Sequence, residues 1–147
     1  MALFKNYDPG RIVMSVTGPL ATFQVQGYGP DTFVKASRNE DNFTEQVGAN
    51  GDVVHVRNRN RTGKVTFTLQ DASPTNDSLS ALAIADERTG LGVVAVMIKD
   101  LNGTTLIQCA NARIQKYADA EYAADAGTND WIFMCAELEM FLGGEVV

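Results

Sequence analysis

From Arg11 onward, apolar side chains recur at every second position, and that spacing sets what the chain can become. Only an extended backbone puts positions i, i+2 and i+4 on one side, so the pattern predicts strands with one buried and one wet face. It is cleanest in Lys64–Gln70, where Val65, Phe67 and Leu69 alternate with Lys64, Thr66, Thr68 and Gln70. Ile12, Met14 and Val16 repeat it, ended by Gly18-Pro19, and Phe23 and Val25 alternate with Thr22, Gln24 and Gln26. Further strands are expected at Phe33–Ser37, Val93–Lys99, Thr104–Tyr117 and Trp131–Leu142. Phe43, Glu45 and Val47 should face Val53, His55 and Arg57 across Asn50-Gly51, a pair suited to a tight hairpin turn.

One segment departs from that period. Ser73 is placed to cap a helix, Pro74 fits its first position, and Asp77 lies near its positive end. Leu79, Leu82, Ala83 and Ile84 supply an apolar stripe, Arg88 falls in the last turn, and Gly90 ends the helix. The expected fold is therefore mainly β, a β-rich α+β arrangement. It is an antiparallel sandwich or barrel of roughly eight strands with one flanking helix. Residues 1–147 read as one domain, with the turn-rich 1–10 as an N-terminal arm.

A chain of 147 residues with 45 % hydrophobic content can bury a core without a disulfide or metal. Its net charge of −6 argues against a large surface for gripping phosphates. No apolar run reaches the ~20 residues of a membrane span, so no membrane anchor is expected. The N-terminus lacks the pattern of a secretory signal. With only Cys109 and Cys135, the chain fits a reducing compartment, and both read as small packing residues.

No motif points to catalysis, a metal or a cofactor. His55, the single histidine, has no local partners for a triad or a zinc site. Gly27-Tyr28-Gly29 runs into Pro30 rather than a helix, which removes the context of a dinucleotide fingerprint. No phosphate-loop sequence or nucleophile elbow is present.

Two charge patterns stand out. Arg57, Arg59 and Arg61 alternate, so an extended backbone would aim all three one way. They form either a solvated face or a basic edge that meets Glu40, Asp41 or Asp52 of another copy. In Trp131–Leu142, read as one strand, Ile132, Met134, Ala136, Leu138 and Met140 share a side. Glu137 and Glu139 then fall on the other side with Trp131, Phe133 and Cys135, facing water or a water-filled channel.

Several stretches together resemble the tail tube proteins of contractile-tailed phages. They are Glu40-Asp41-Asn42-Phe43-Thr44, Val47-Gly48-Ala49-Asn50-Gly51, Gly63–Gln70, and Ser73-Pro74-Thr75-Asn76-Asp77-Ser78-Leu79. The start from Phe4 to Val16 and the C-terminal strand extend the resemblance over nearly the whole chain. It implies a non-enzymatic subunit of the virion tail, made in the host cytoplasm and needing no cofactor. Hexameric rings of it would stack into a hollow tube inside a sheath, with baseplate and tail terminator proteins at the ends. DNA would pass through the lumen without specific binding. Type VI secretion and bacteriocin tubes share that architecture, so a bacteriocin-type device remains open beside the phage tail. On this reading Glu40, Asp41, Asp52, Arg57, Arg59 and Arg61 are candidate inter-subunit contacts, and Glu137 and Glu139 candidate lumen residues. A monomeric ligand-binding β-barrel and an enzyme with a dispersed carboxylate site are the competing classes.

Overall fold

A computed structural model describes residues 6–144. The strands are β1 (Ile12–Thr17), β2 (Thr22–Gln24), β3 (Val34–Arg38), β4 (Phe43–Val47), β5 (Val53–Arg57) and β6 (Gly63–Gln70). After the helix α1 (Thr75–Thr89) come β7 (Val94–Asp100), β8 (Leu106–Ile114), β9 (Thr128–Cys135) and β10 (Glu139–Phe141). Eight strands form one antiparallel sheet in the order β2-β1-β7-β8-β9-β6-β3, with β10 also paired to β8; β4 and β5 pair only with each other.

Strand β8 organises the sheet. Its first half (Leu106 to Gln108) pairs with β10 and its second half (Ala112 to Ile114) with β9. The sheet therefore has two wings that share β8, and their apolar sides meet in one core. From β1 and β7 come Met14, Val16, Val96 and Ile98; from β6 and β9 come Val65, Phe67, Leu69, Trp131 and Phe133. Phe67 and Phe133 stack at 5.5 Å in the middle. The helix adds Leu79, Leu82 and Ala83.

Local signals explain α1. Ser73 Oγ accepts from the Thr75 amide (3.3 Å) and donates to the Gln26 carbonyl (2.6 Å), fixing the helix start against the end of β2. Gly90 closes the helix in the left-handed region (φ 71°), its N–H bonded to the Asp86 carbonyl at 2.7 Å. Ile84, read as part of the apolar stripe, is 42 % exposed. The buried set Leu79, Leu82, Ala83 already fills the core side, and Ile84 lies one position beyond it.

The last expected strand is two. The chain bends after Cys135, where the Ala136 amide bonds the Asn111 carbonyl (3.0 Å) and the Leu138 amide bonds the Arg61 carbonyl (3.0 Å). That bend changes which parity points inward: Trp131, Phe133 and Cys135 are buried before it, and Leu138 after it. Trp131, Phe133 and Cys135 thus share the core with Leu138 instead of opposing it, whereas Glu137 and Glu139 stay exposed.

Asp8 is tied to the body. The fully buried Asn102 donates from Nδ2 to the Asp8 carbonyl (2.9 Å), and its Oδ1 accepts from the Asp8 amide (3.4 Å).

Candidate assembly surfaces

The β4–β5 hairpin has the expected register: Phe43 opposes Arg57, Glu45 opposes His55, and Val47 opposes Val53. The turn is a three-residue loop. The Gly51 amide bonds the Gly48 carbonyl (3.0 Å), the Gly48 amide bonds the Asp52 carbonyl (2.7 Å), and Gly51 takes φ 90°. Asn50 keeps a negative φ, so only the glycine supplies the left-handed position. His55 lies 3.4 Å from Glu45, and the Arg57 guanidinium lies over the Phe43 ring at 6.0 Å.

Every residue of this hairpin is exposed. Phe43, Val47 and Val53 lie on one face at 55, 65 and 53 % exposure; Val54 and Val56 lie on the other at 56 and 42 %. An isolated two-stranded ribbon is marginal in water, and apolar side chains on both of its faces mark an interaction element.

The hairpin root holds the alternating arginines. Asn60 and Thr62 amides bond the side chains of Asn58 and Asn60 (3.0 Å each), folding the asparagines inward and leaving Arg57, Arg59 and Arg61 exposed. The three do not share a role. Arg61 Nη1 donates to Glu137 Oε1 of the same chain at 2.8 Å. Arg57 sits on Phe43, and Arg59 has no ion pair among the described residues. Glu40 accepts from Asn58 Nδ2 at 2.7 Å. That bond, with a second one from Asn60, holds its carboxyl below the usual range. Asp41 lies in the exposed connection before β4, and Asp52 is exposed at the hairpin turn. All six residues thus belong to the hairpin and its root.

Glu137 and Glu139 are brought to one sheet face by different means. Glu137 is held by Arg61, whereas Glu139 accepts from Gln108 Nε2 at 3.1 Å. The registers join Gln24, Ser15, Met97, Gln108 and Glu139 into one row across β2, β1, β7, β8 and β10. Thr17 and Ala95 stand beside it. The outer face of the other wing is basic: Lys35 lies beside Thr66, and Ser37, Lys64, Met134 and Arg113 form a row.

Cys109 and Cys135 are free and buried, in the packing role their neighbours predict. Burial, and then the neighbouring Cys109, push the Cys135 thiol up to about 12. Among the described residues no cluster of three or more His, Cys, Asp or Glu is arranged around a metal-sized space. No described helix is long and apolar enough to cross a membrane.

The fold is similar to that of solved components of contractile injection systems. The sheath/tube terminator of an extracellular contractile injection system matches at a TM-score of 0.68 and 13 % identity, over 96 % of this chain and all (100 %) of that one. The tube-terminating cap of the anti-feeding prophage matches at 0.63 and 13 % identity, over 96 % and 94 % of the two chains. Residues 6–143 match the family described as the bacteriophage PhiTE tail tube protein, and the chain belongs to that family. "Structural protein ORF10" of Pseudomonas phage KPP10 is 26 % identical over 143 residues, spanning 95 % of this chain and 83 % of that protein. The protein is a structural component of a phage tail tube.

Proposed function

We propose that copies of this chain close laterally into hexameric rings, and that the rings stack into the inner tube of a contractile tail through which DNA is delivered. The observation that carries this reading is the β4–β5 hairpin, apolar on both faces and covered by nothing among the described residues. A second copy is the partner that every such hairpin meets at the right concentration. Where the hairpin meets a different surface of the next copy the contact is heterologous, and heterologous contacts close into rings or run on as filaments. The short edge strands β2 and β3 offer backbone groups for the lateral joints. Sheath, baseplate and terminator proteins are the further partners of such a tube.

The channel wall in this reading is the wing with the row Gln24, Ser15, Met97, Gln108, Glu139. A wall that lets DNA slide must not hold phosphates, and this row carries no lysine or arginine, Lys99 in the next row being the lysine that β7 places on the same face. The opposite wing, with Lys35, Lys64 and Arg113, would bind them. A ligand-carrying barrel is disfavoured because Phe67, Phe133 and Met14 fill the space between the wings.

Negative-stain microscopy of the purified protein tests the reading. Rings with sixfold symmetry, or hollow tubes, are expected as concentration rises. A variant with residues 44–56 replaced by a Gly-Ser linker should stay folded and monomeric. Uniform monomers of the unaltered protein at all concentrations would overturn the proposal.

A further inference from the structure

The wing of β3, β6 and β9 carries a groove that no described residue fills. About 440 Å³ in volume, it opens where the start of β6 meets the ends of β9 and β8. Val93, Ala112, Met134 and Ala136 give it an apolar lining. Met134, 41 % exposed, stands between Lys64 and Arg113 in the cross-strand row, so the apolar floor has a cation on each side. Lys64 has no ion pair among the described residues, and Arg113 approaches Asp86 only to 3.8 Å. Such a surface fits an apolar or aromatic side chain with acids beside it.

The same chain carries that complement at the other end of the wing. In the connection between β8 and β9, every residue from Asp119 to Thr128 is exposed, and none is lysine or arginine. Tyr122 in its middle is 96 % exposed, more than any other large hydrophobic side chain among the described residues. Glu121 precedes it and Asp125 follows it, neither with an ion pair among the described residues. Tyrosine is a side chain that anchors protein contacts, its ring seated in an apolar pocket and its hydroxyl on a polar partner. The exposed Asn111 at the groove rim offers that partner.

Position decides which copy is joined. Tyr122 shares a surface recess with Gln70 and Asp71, and the Asp71 carboxylate holds the loop there by accepting from the Gly127 amide at 3.1 Å. Lys64 lies six residues back along β6 (70 − 64), about 20 Å away at the rise of a strand. One wing thus has the tyrosine at one end and the groove at the other. A contact between them is head-to-tail and repeats from copy to copy.

We infer that the groove between Lys64 and Arg113 receives Tyr122 of a second copy, with Glu121 and Asp125 of that loop set against the two cations. The contact uses no part of the β4–β5 ribbon. It rests on the self-assembly proposed above and adds a separate pair of surfaces to it.

Substitution at both surfaces tests it. Tyr122→Ala and Lys64→Glu should each raise the protein concentration needed for sedimentable assemblies by about tenfold or more, with an unchanged urea midpoint. Tyr122→Cys combined with Met134→Cys should give a ladder of covalent multimers on non-reducing gels when oxidised glutathione is added. Tyr122→Cys alone should give no ladder, because Cys109 and Cys135 are buried. If the unaltered protein assembles but Tyr122→Ala and Lys64→Glu assemble at the same concentration, or the double-cysteine assemblies give no ladder, the inference falls while the tube reading stands. Lys64→Glu tubes that form normally but no longer bind sheath protein would assign the groove to the sheath and overturn it as well. If the unaltered protein never assembles, both readings fall.

Discussion

Gly63 shows how one residue can hold the root of the hairpin to the body. It opens β6 where Leu138, fully buried, crosses over it. A methyl group added there would lie 2.5 Å from Leu138 Cδ2 and 2.7 Å from the Ser37 carbonyl oxygen. The carbonyl belongs to the β3–β6 ladder and has little room to move. Gly63→Ala should therefore cost about 1–3 kcal/mol, read as a lower urea midpoint, and the loss should appear in the monomer. The sequence offered no sign of this constraint, because the crowding comes from a residue 75 positions away (138 − 63).

Cys135 and Tyr28 make a second prediction at the same scale. Burial raises the Cys135 thiol from 9.0 to about 12 and the Tyr28 phenol from 10.0 to about 12. A folded-state pKa above the unfolded one favours the folded, protonated form, and that contribution is complete below the unfolded value. Stability should thus fall as pH rises from about 9 toward 12, with the urea midpoint at pH 11 below that at pH 8. The same burial makes the native thiol a poor nucleophile. At pH 8 a thiol-specific disulfide reagent should label neither cysteine until urea unfolds the chain.

Among the elements, the helix, the hairpin and the strand β6 were legible in the sequence because their signals are local. Cap residues, a turn glycine and unbroken alternation lie within a few positions of what they determine. The division of Trp131–Leu142 into β9 and β10 was not legible. Its bend is made by the Asn111 and Arg61 carbonyls, distant partners that leave no turn residues behind. Alternation read straight through the bend put the core residues of β9 on the same side as Glu137. The exposed Ile84 is a milder case of the same kind, since the helix stripe showed a face but not its width.

The junction of α1 with β7 yields a prediction of its own. Asp86 Oδ1 accepts from the Gly92 amide at 3.1 Å, and Oδ2 faces Arg113 at 3.8 Å. One largely buried carboxylate thus joins the helix end to the strand that follows and to β8. Asp86→Ala should destabilise the fold by about 1 kcal/mol in urea titration, with Asp86→Asn recovering part of it.

At the scale of the whole molecule, the six candidate contacts and the two glutamates were singled out by charge alone, without a map. Glu137 is tied to Arg61 in its own chain, whereas Glu139 has a hydrogen bond from Gln108 and no ion pair among the described residues. Channel chemistry should therefore depend on Glu139. Glu139→Lys should leave tubes intact but slow DNA release from reconstituted particles, more strongly at low ionic strength. Glu137→Lys should disturb the hairpin root before it alters release. A tube map with Glu139 turned away from the lumen would remove this prediction.

The hairpin with two wet faces also sets a clock. Five paired residues per strand, with no third strand or covering layer among the described residues, give little reason for the ribbon to persist in a free subunit. Ordering it is then part of the cost of the first encounter between copies, and a finished end that already displays ordered tips spares newcomers much of that cost. Polymerisation of this kind has a lag, a critical concentration and a strong dependence on seeds. In the cell, tubes would start where a preformed platform exists and not at random in solution. Amide exchange in β4 and β5 should be fast in the free protein and slow in the polymer, with the β6 and β9 amides protected in both.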